Sequence, residues 1–355
     1  MAKKRILFLG ETYRADAITW MNGLKEFGDF EIVTWELQTT STGIHRIKRL
    51  VELTSAFLTI KKIAKRFNAD MVIAERTTSY GFLAALTGIK PIAIAQQGIT
   101  DLWPHESPLY FFKKILQDYA FKNADLIHAW GKVMADHMEI SNVNMSKVLI
   151  MPKGIDLKHF KFQNNQNKNF IEAIVTRSLE PEYRHIKIIK AFAILKQKNI
   201  PFRLSIIGDG SMRRTLEKLT AELNIEQEVI FTGRVPNPEV AKMLQQANFY
   251  ISLPSTEGVS ASLFEAMACG CFPIVTDLPG NRSWIKNQEN GILIFKSNFK
   301  ILAHELEYAW ERNLWREAVT HKNRKFVEEH ANYNINMNTI AQTYHELINQ
   351  KSITI

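Results

Sequence analysis

The segment "STEGVSASLFEAMACG" (255–270) sets Glu257 and Glu265 eight positions apart among mostly small residues. It follows an apolar run, "FYISLP" (249–254), that reads as a buried strand, and a helix is expected from about Ser260 to Cys269. Glu257 then falls in the turn and Glu265 in the second turn of the helix. In one continuous helix the spacing would be about 12 Å of rise, so the two acids are not a stacked pair on one face. Between them "GVSAS" offers successive backbone N–H groups at a helix N-terminus, which suits a phosphate. Carboxylates beside such a seat repel phosphate, so their chemistry is to accept hydrogen bonds from hydroxyls. A ligand with both phosphates and vicinal hydroxyls, a nucleotide-sugar, answers to the set. Acids placed only for the helix dipole would explain Glu257 but not Glu265.

Elements that hold such a turn recur along the chain. Short apolar runs alternate with helical patterns: "RILFLG" (5–10), "EIVTW" (31–35), "MVIAE" (71–75), "PIAIAQ" (91–96), "LIHAW" (126–130) and "KVLIMP" (147–152). The pattern restarts with "EAIVTR" (172–177), "RLSIIG" (203–208), "VIFTG" (229–233), "FYISLP", "FPIVTD" (272–277) and "GILIF" (291–295). Strands apolar on both faces and separated by helices indicate buried parallel sheets. Between the halves "KFQNNQNKN" (161–169) has a single apolar side chain and reads as a linker. The expected fold class is α/β, with two Rossmann-like, doubly wound parallel-sheet domains facing across a cleft. The domains are placed at 1–162 (acceptor-binding) and 163–330 (nucleotide-sugar-binding). A helical tail over 331–355 is expected to pack back on the first. Ligands of such sheets bind beyond the carboxyl ends of the strands, which directs attention to the residues just after each strand.

The segment resembles the retaining glycosyltransferases of family four, which have the two-domain GT-B fold. That family carries Glu, seven residues, Glu, then "AMACG.PVV", and this chain has Glu257, Glu265, "AMACG" and "FPIVTD" in that order. "IIGDGSMRRTLEKL" (206–219), "TGRVPNPEVAKMLQQANFYISLPS" (232–255) and "MPKGIDLKHF" (151–160) look like the family's neighbouring segments and its interdomain hinge. The resemblance is good over about 150–295; the first half matches only in strand pattern. It implies transfer of a sugar from a nucleotide-diphosphate-sugar to a glycan or lipid-linked acceptor, with retention by a front-side path. Glu265 would hold the ribose hydroxyls and Glu257 those of the donor sugar. The N–H groups of Gly258, Val259, Ser260 and Ala261 would meet sugar and diphosphate. Arg177 would bind the diphosphate and neutralise the leaving group's charge. Gly208, Gly233 and Arg234, in the matching segments, are expected on the donor side as well.

Two departures stand out. The family's lysine about five residues after the arginine is replaced by Glu182, so Arg184 is expected to substitute; His185 or Lys187 in that place, or Arg177 acting with helix N-termini alone, are the alternatives. Where many relatives place a His after the fourth strand, this chain has Gln96, Gln97 and Gly98; a glutamine hydrogen-bonds a sugar but exchanges no proton near neutrality. Gly10, Glu11 and Thr12, after the first strand, join Gln97 and Gly98 as acceptor-side candidates. No cofactor or metal is expected, because there is no Asp-x-Asp and no histidine cluster of ligand spacing. Two other readings stay open: a nucleotide-sugar-binding protein without transfer activity, and an epimerase or hydrolase on the same fold.

The formal charge of +9 is unevenly spread: residues 44–66 hold seven Lys and Arg against one Glu. There Leu50, Leu53, Phe57, Ile60, Ala64 and Phe67 share one helical face, with Lys48, Lys62, Lys65 and Arg66 largely opposite. Two readings fit, a core helix with a solvated basic face and a docking surface for anionic lipid headgroups. "DLWPHESPLYFFKKI" (101–115) sets Trp103, Tyr110, Phe111 and Phe112 beside Lys113 and Lys114, as acceptor wall or as core. Nucleic acid is not an expected partner, since no basic motif interleaved with aromatics is present. Cys269 and Cys271, one residue apart, are read as reduced core residues. With no signal-peptide core and no long apolar run, the expected location is cytoplasmic; a peripheral place on the inner face of the membrane is a second reading that depends on the basic segment.

Overall fold

The computed structural model describes residues 3–38, 45–96 and 105–353. The chain divides into two compact units, Met1–Lys153 with Tyr333–Ile355, and Gly154–Asn332. The first unit runs β1 (Arg5–Leu9), α1 (Ala15–Gly28), β2 (Glu31–Trp35), α2 (His45–Phe67), β3 (Met71–Glu75), α3 (Phe82–Thr87), β4 (Ile92–Ala95), α4 (Tyr110–Asn123), β5 (Leu126–Ala129), α5 (Lys132–Ile140) and β6 (Val148–Ile150). The second runs β7 (Ile171–Thr176), α6 (His185–Gln197), β8 (Phe202–Ile207), α7 (Arg213–Glu222), β9 (Val229–Gly233), α8 (Asn237–Gln246), β10 (Phe249–Ser252), α9 (Ala261–Cys269), β11 (Phe272–Thr276), α10 (Pro279–Arg282), β12 (Ile292–Ile294), α11 (Phe299–Trp310) and α12 (Asn313–His330). A last helix, α13 (Tyr333–Ile353), belongs to the first unit.

Among the described residues each unit holds a six-stranded parallel sheet, ordered β2-β1-β3-β4-β5-β6 in the first and β12-β11-β10-β7-β8-β9 in the second. Each is a Rossmann-like α/β unit. The period-2 alternation of the strands feeds two cores in the second unit: Ala173, Val175, Phe249 and Ile251 enter one, Ile174 and Tyr250 the other. In each sheet the direction of winding reverses once, between β1 and β3 and between β7 and β10. At such a switch point neighbouring crossovers leave on opposite faces and open a crevice beyond the strand ends.

Three expectations need correction. The second unit begins at Gly154 rather than 163, because Ile155 N–H donates to Ala331 O (2.9 Å) and Phe160 is buried in that unit's core. The segment 161–169 is not a linker. Gln166 is wholly buried and donates to Asn248 O (3.2 Å) and Gly270 O (2.8 Å), while its own Oε1 accepts from the buried Arg316 (2.9 Å). A polar side chain that satisfies buried carbonyls has the same composition as a solvated one. Finally, Phe111 and Phe112 are 76% and 52% exposed, so they are not core; Trp103 lies outside the described residues. Among the described residues of α2, Ile60 and Ala64 are buried and Lys62, Lys65 and Arg66 exposed. No helix of the described residues is long and apolar enough to cross a membrane.

Candidate active site

The second unit's switch point is where β7 and β10 lie side by side, and both strands end in functional side chains. After β7 comes Arg177; after β10 the chain loops through Glu257 to Ser260, whose hydroxyl caps α9 by accepting from Leu263 N–H (3.3 Å). The loop is held from two sides. Ser255 N–H donates to Glu182 O (2.8 Å), and Gly280 of α10 packs so closely that a Cβ there would stand 2.2 Å from Glu257 O. The Arg177 guanidinium bridges the two strands: it pairs with the Glu257 carboxylate, donates to Ser260 Oγ and to Ser252 Oγ (3.3 Å), and lies 5.5 Å from the Tyr183 ring centre.

Glu265 projects from the second turn of α9. Burial pushes its carboxyl up to about 7, and the charge of Arg177 opposes that rise only in part. A cavity of about 420 Å³ opens here, lined by Thr176, Arg177, Ser178, Gly208, Asp209, Arg234, Asn237, Ser262 and Glu265 among others. Gly208, at φ 136°, closes the approach of β8 to β7, since a Cβ would meet Arg177 O at 2.5 Å. Gly233 does not line the cavity but accepts from Gly208 N–H (2.9 Å) and thereby sets that wall. Arg234 is exposed at the rim and has no ion pair among the described residues.

The structure thus brings Arg177, Glu265, Gly208 and Arg234 into one cavity, with Glu257 attached through Arg177 and Gly258, Val259 and Ala261 in and after the loop. It does not bring Arg184 there. That guanidinium donates to Ser297 Oγ (2.6 Å) and Pro254 O (3.2 Å), so it fastens the loop instead. His185 is buried, its Nε2 against Ser178 O (2.9 Å), and burial lowers its basicity. Residues that sequence reasoning passed over are Thr176, whose buried hydroxyl has no partner among the described residues, and Asp209, next to Gly208 in "IIGDG".

In the first unit Gly10 follows β1 at that sheet's switch point, and a Cβ on it would meet Glu75 Oε2 at 2.7 Å. A side chain at this position would have to displace Glu75 or the Phe8 ring. Glu11 is held by both Nη atoms of Arg76 (2.7 Å each), and Thr12 donates through N–H and hydroxyl to Glu36 (3.1 and 3.2 Å). Gln97 and Gly98 lie outside the described residues.

The second unit thus carries an arginine and two carboxylates at a strand-edge crevice of an α/β sheet. The chain matches the family described as "Glycosyl transferases group 1" over residues 156–326 and "Glycosyl transferase 4-like" over 5–130. It belongs to the group 1 glycosyltransferases of GT-B fold and is a transferase that uses nucleotide sugars. It is 24% identical over 300 residues to an N-acetylgalactosamine-N,N'-diacetylbacillosaminyl-diphospho-undecaprenol 4-alpha-N-acetylgalactosaminyltransferase of Campylobacter jejuni, covering 81% of this chain and 79% of that one. To the capsular polysaccharide biosynthesis glycosyltransferase CapM of Staphylococcus aureus it is 22% identical over 308 residues, 79% of each chain. Anabaena HepE, solved in complex with UDP, superposes with a TM-score of 0.79 at 14% identity, over 98% of this chain and 100% of that one.

Proposed function

We propose that this protein is a retaining glycosyltransferase that moves a sugar from a nucleoside-diphosphate-sugar to a lipid-linked or surface-glycan acceptor. The observation that carries the reading is that Arg177, which lines one cavity with Glu265, also pairs with Glu257 across the switch point. In this account Glu265 accepts the ribose hydroxyls, Glu257 accepts hydroxyls of the sugar, and the N–H groups from Gly258 to Ala261 face the diphosphate. Arg177 neutralises charge growing on the leaving phosphate. Arg234, free at the rim, takes the place of the family's missing lysine, since Arg184 and His185 are already engaged. Lys187 has no ion pair among the described residues and is a second source of charge. Gly10, Glu11, Thr12, Gln97 and Gly98 are assigned to the acceptor side. The relatives support a uridine nucleotide, because HepE was solved with UDP-glucose, and a polyprenyl-diphosphate acceptor, because that of C. jejuni is named for one.

No metal enters this account; arginine charge and the N-terminus of α9 offset the diphosphate. Exposed Lys62, Lys65 and Arg66 of the basic helix face an anionic membrane surface, and the reduced, buried Cys269 and Cys271 suit a cytoplasmic setting. The test is incubation with a panel of nucleotide-sugars, with and without polyprenyl-diphosphate-linked acceptors and with a chelator present. Acceptor-dependent release of nucleotide, undiminished by the chelator and lost in Arg177→Ala, is the expected result. Release without acceptor would mean hydrolysis, and binding with no turnover would mean a non-catalytic protein.

A further inference from the structure

The loop after β1 is gripped from both neighbouring strands. In the sheet β1 lies between β2 and β3, and the first residue beyond each of these reaches across to the loop. From β2, Glu36 accepts from the N–H (3.1 Å) and the hydroxyl (3.2 Å) of Thr12. From β3, Arg76 sets both Nη atoms on the Glu11 carboxylate, 2.7 Å each, and Arg14 adds a third contact at 3.2 Å. Arg76 does so from φ 64°, a left-handed conformation that a residue with a long side chain rarely adopts. Such strain persists only where the surrounding contacts over-determine it, and it gathers where a ligand is clamped.

What the clasp presents is Tyr13. It is 72% exposed and has no hydrogen bond or ring contact among the described residues. Its neighbours Glu11, Thr12 and Arg14 are all engaged within the chain, and Arg14 also pairs with Asp16 (3.6 Å). A single exposed apolar side chain needs no explanation in general. This one stands on a fixed loop beyond the carboxyl end of a strand, at the first sheet's switch point, where doubly wound sheets take their ligands. An acyl chain would need an apolar groove, and a ring set among Glu11, Arg14 and Asp16 supplies none. A protein partner would need a far larger contact area. The surface suits a ligand that is apolar on one face and hydroxylated round its edge, which is the chemistry of a pyranose.

We propose that Tyr13 is a specificity-determining residue that stacks on the C–H face of the acceptor's sugar ring, and that Arg76 is the positioning residue that holds it there through Glu11. The C–H groups of that face carry partial positive charge and meet the negative face of the aromatic ring, while a tyrosine has little side-chain entropy to lose. The assignment deepens the transferase reading and rests on it. The acceptor is chosen by its sugar ring, and Glu11 and Thr12 serve as supports for the contact rather than as the contact itself.

Saturation-transfer NMR of the full chain with methyl β-D-glucopyranoside, methyl β-D-galactopyranoside and methyl N-acetyl-β-D-glucosaminide should show contact with the sugar C–H protons of at least one of them. That contact should be lost in Tyr13→Ala and kept in Tyr13→Phe and Tyr13→Trp. In steady-state transfer from a nucleotide-sugar to lipid-linked saccharides, Tyr13→Ala should raise the acceptor KM about fivefold to tenfold, with a smaller change in kcat and donor affinity kept. Arg76→Lys, which loses the two-pronged grip, should move KM the same way and add little in the Tyr13→Ala background, because the two residues act as one unit. Glu11→Gln serves if Arg76→Lys lowers the melting temperature. No pyranoside contact at all, contact and KM untouched by Tyr13→Ala, or additive effects of the paired substitutions would each overturn the proposal and leave the transferase reading standing. Pyranoside contact through Tyr13 with no turnover on any acceptor would support the contact and remove the transferase reading instead.

Discussion

Glu265 is a carboxyl whose ionisation has been moved to where an enzyme works. Raised by burial to about 7, it changes its charge state within the neutral range when no ligand is bound. An ionised carboxylate accepts stronger hydrogen bonds from hydroxyls than a neutral one. Donor affinity should therefore rise between about pH 6 and pH 8, and titration calorimetry with nucleotide at several pH values checks it. Glu265→Gln should flatten that dependence, and Glu265→Ala should cost about 1 to 3 kcal/mol of donor binding if it pairs buried hydroxyls. An unchanged affinity in the alanine variant would remove Glu265 from the site. Stability has the opposite slope. A carboxyl raised on folding binds its proton more tightly in the native state, so its stabilising effect is complete below the ordinary carboxylate value and is lost as pH rises to about 7.

At the scale of elements, the site depends on how tightly one loop is seated between its supports. Gly280 lies under Glu257 and Gly258, and any side chain there must push the loop away, because a Cβ would stand 2.2 and 2.6 Å from their carbonyl oxygens. Gly280→Ala should therefore displace Glu257 relative to Arg177 while leaving Glu265, on α9, in place. Turnover is expected to fall by about tenfold to a hundredfold with nucleotide affinity nearly kept, because small misplacements of a positioning group are costly. Steady-state kinetics beside calorimetry separates the two effects. Much of this was legible in sequence: the runs that became β7 and β10, the helix start at Ser260, and the acids on either side of it follow from local pattern. What was not legible is which cations are already taken. Arg184 is bound by Ser297, 113 positions away, and Gln166 by Arg316, 150 away. No periodicity encodes such pairings, and for the same reason Arg234 could be recognised as a cavity arginine with no ion pair among the described residues only once the fold was in hand.

Across the whole molecule, the first unit is closed by a helix that arrives last in the chain. On α13, Met337, Ile340, Ala341, Tyr344 and Ile348 are buried, and the helix lies close on α1 because Gly23 and Gly28 leave room for Met337 and Ala341. Tyr344 also meets the buried His128 at 2.6 Å. Burial lowers His128 to about 3, so the unfolded chain takes up a proton that the native state refuses. Stability should accordingly fall as pH drops from the ordinary histidine value toward 3, and His128→Gln should lose less between pH 7 and pH 4 in melting experiments.

The second unit has its own sheet and its own cores on both faces, and among the described residues none of those cores includes a residue of α13. The first unit would expose the α1 face if that helix were missing. A chain ending at Asn332 should therefore lose the calorimetric transition of the first unit while retaining that of the second and its nucleotide binding. Two sheets with separate cores, joined by the chain only at 153–154 and 332–333, make that separation possible. If truncation instead abolished nucleotide binding, the donor site would depend on the first unit's integrity, and the assignment of donor recognition to the second unit alone would fail.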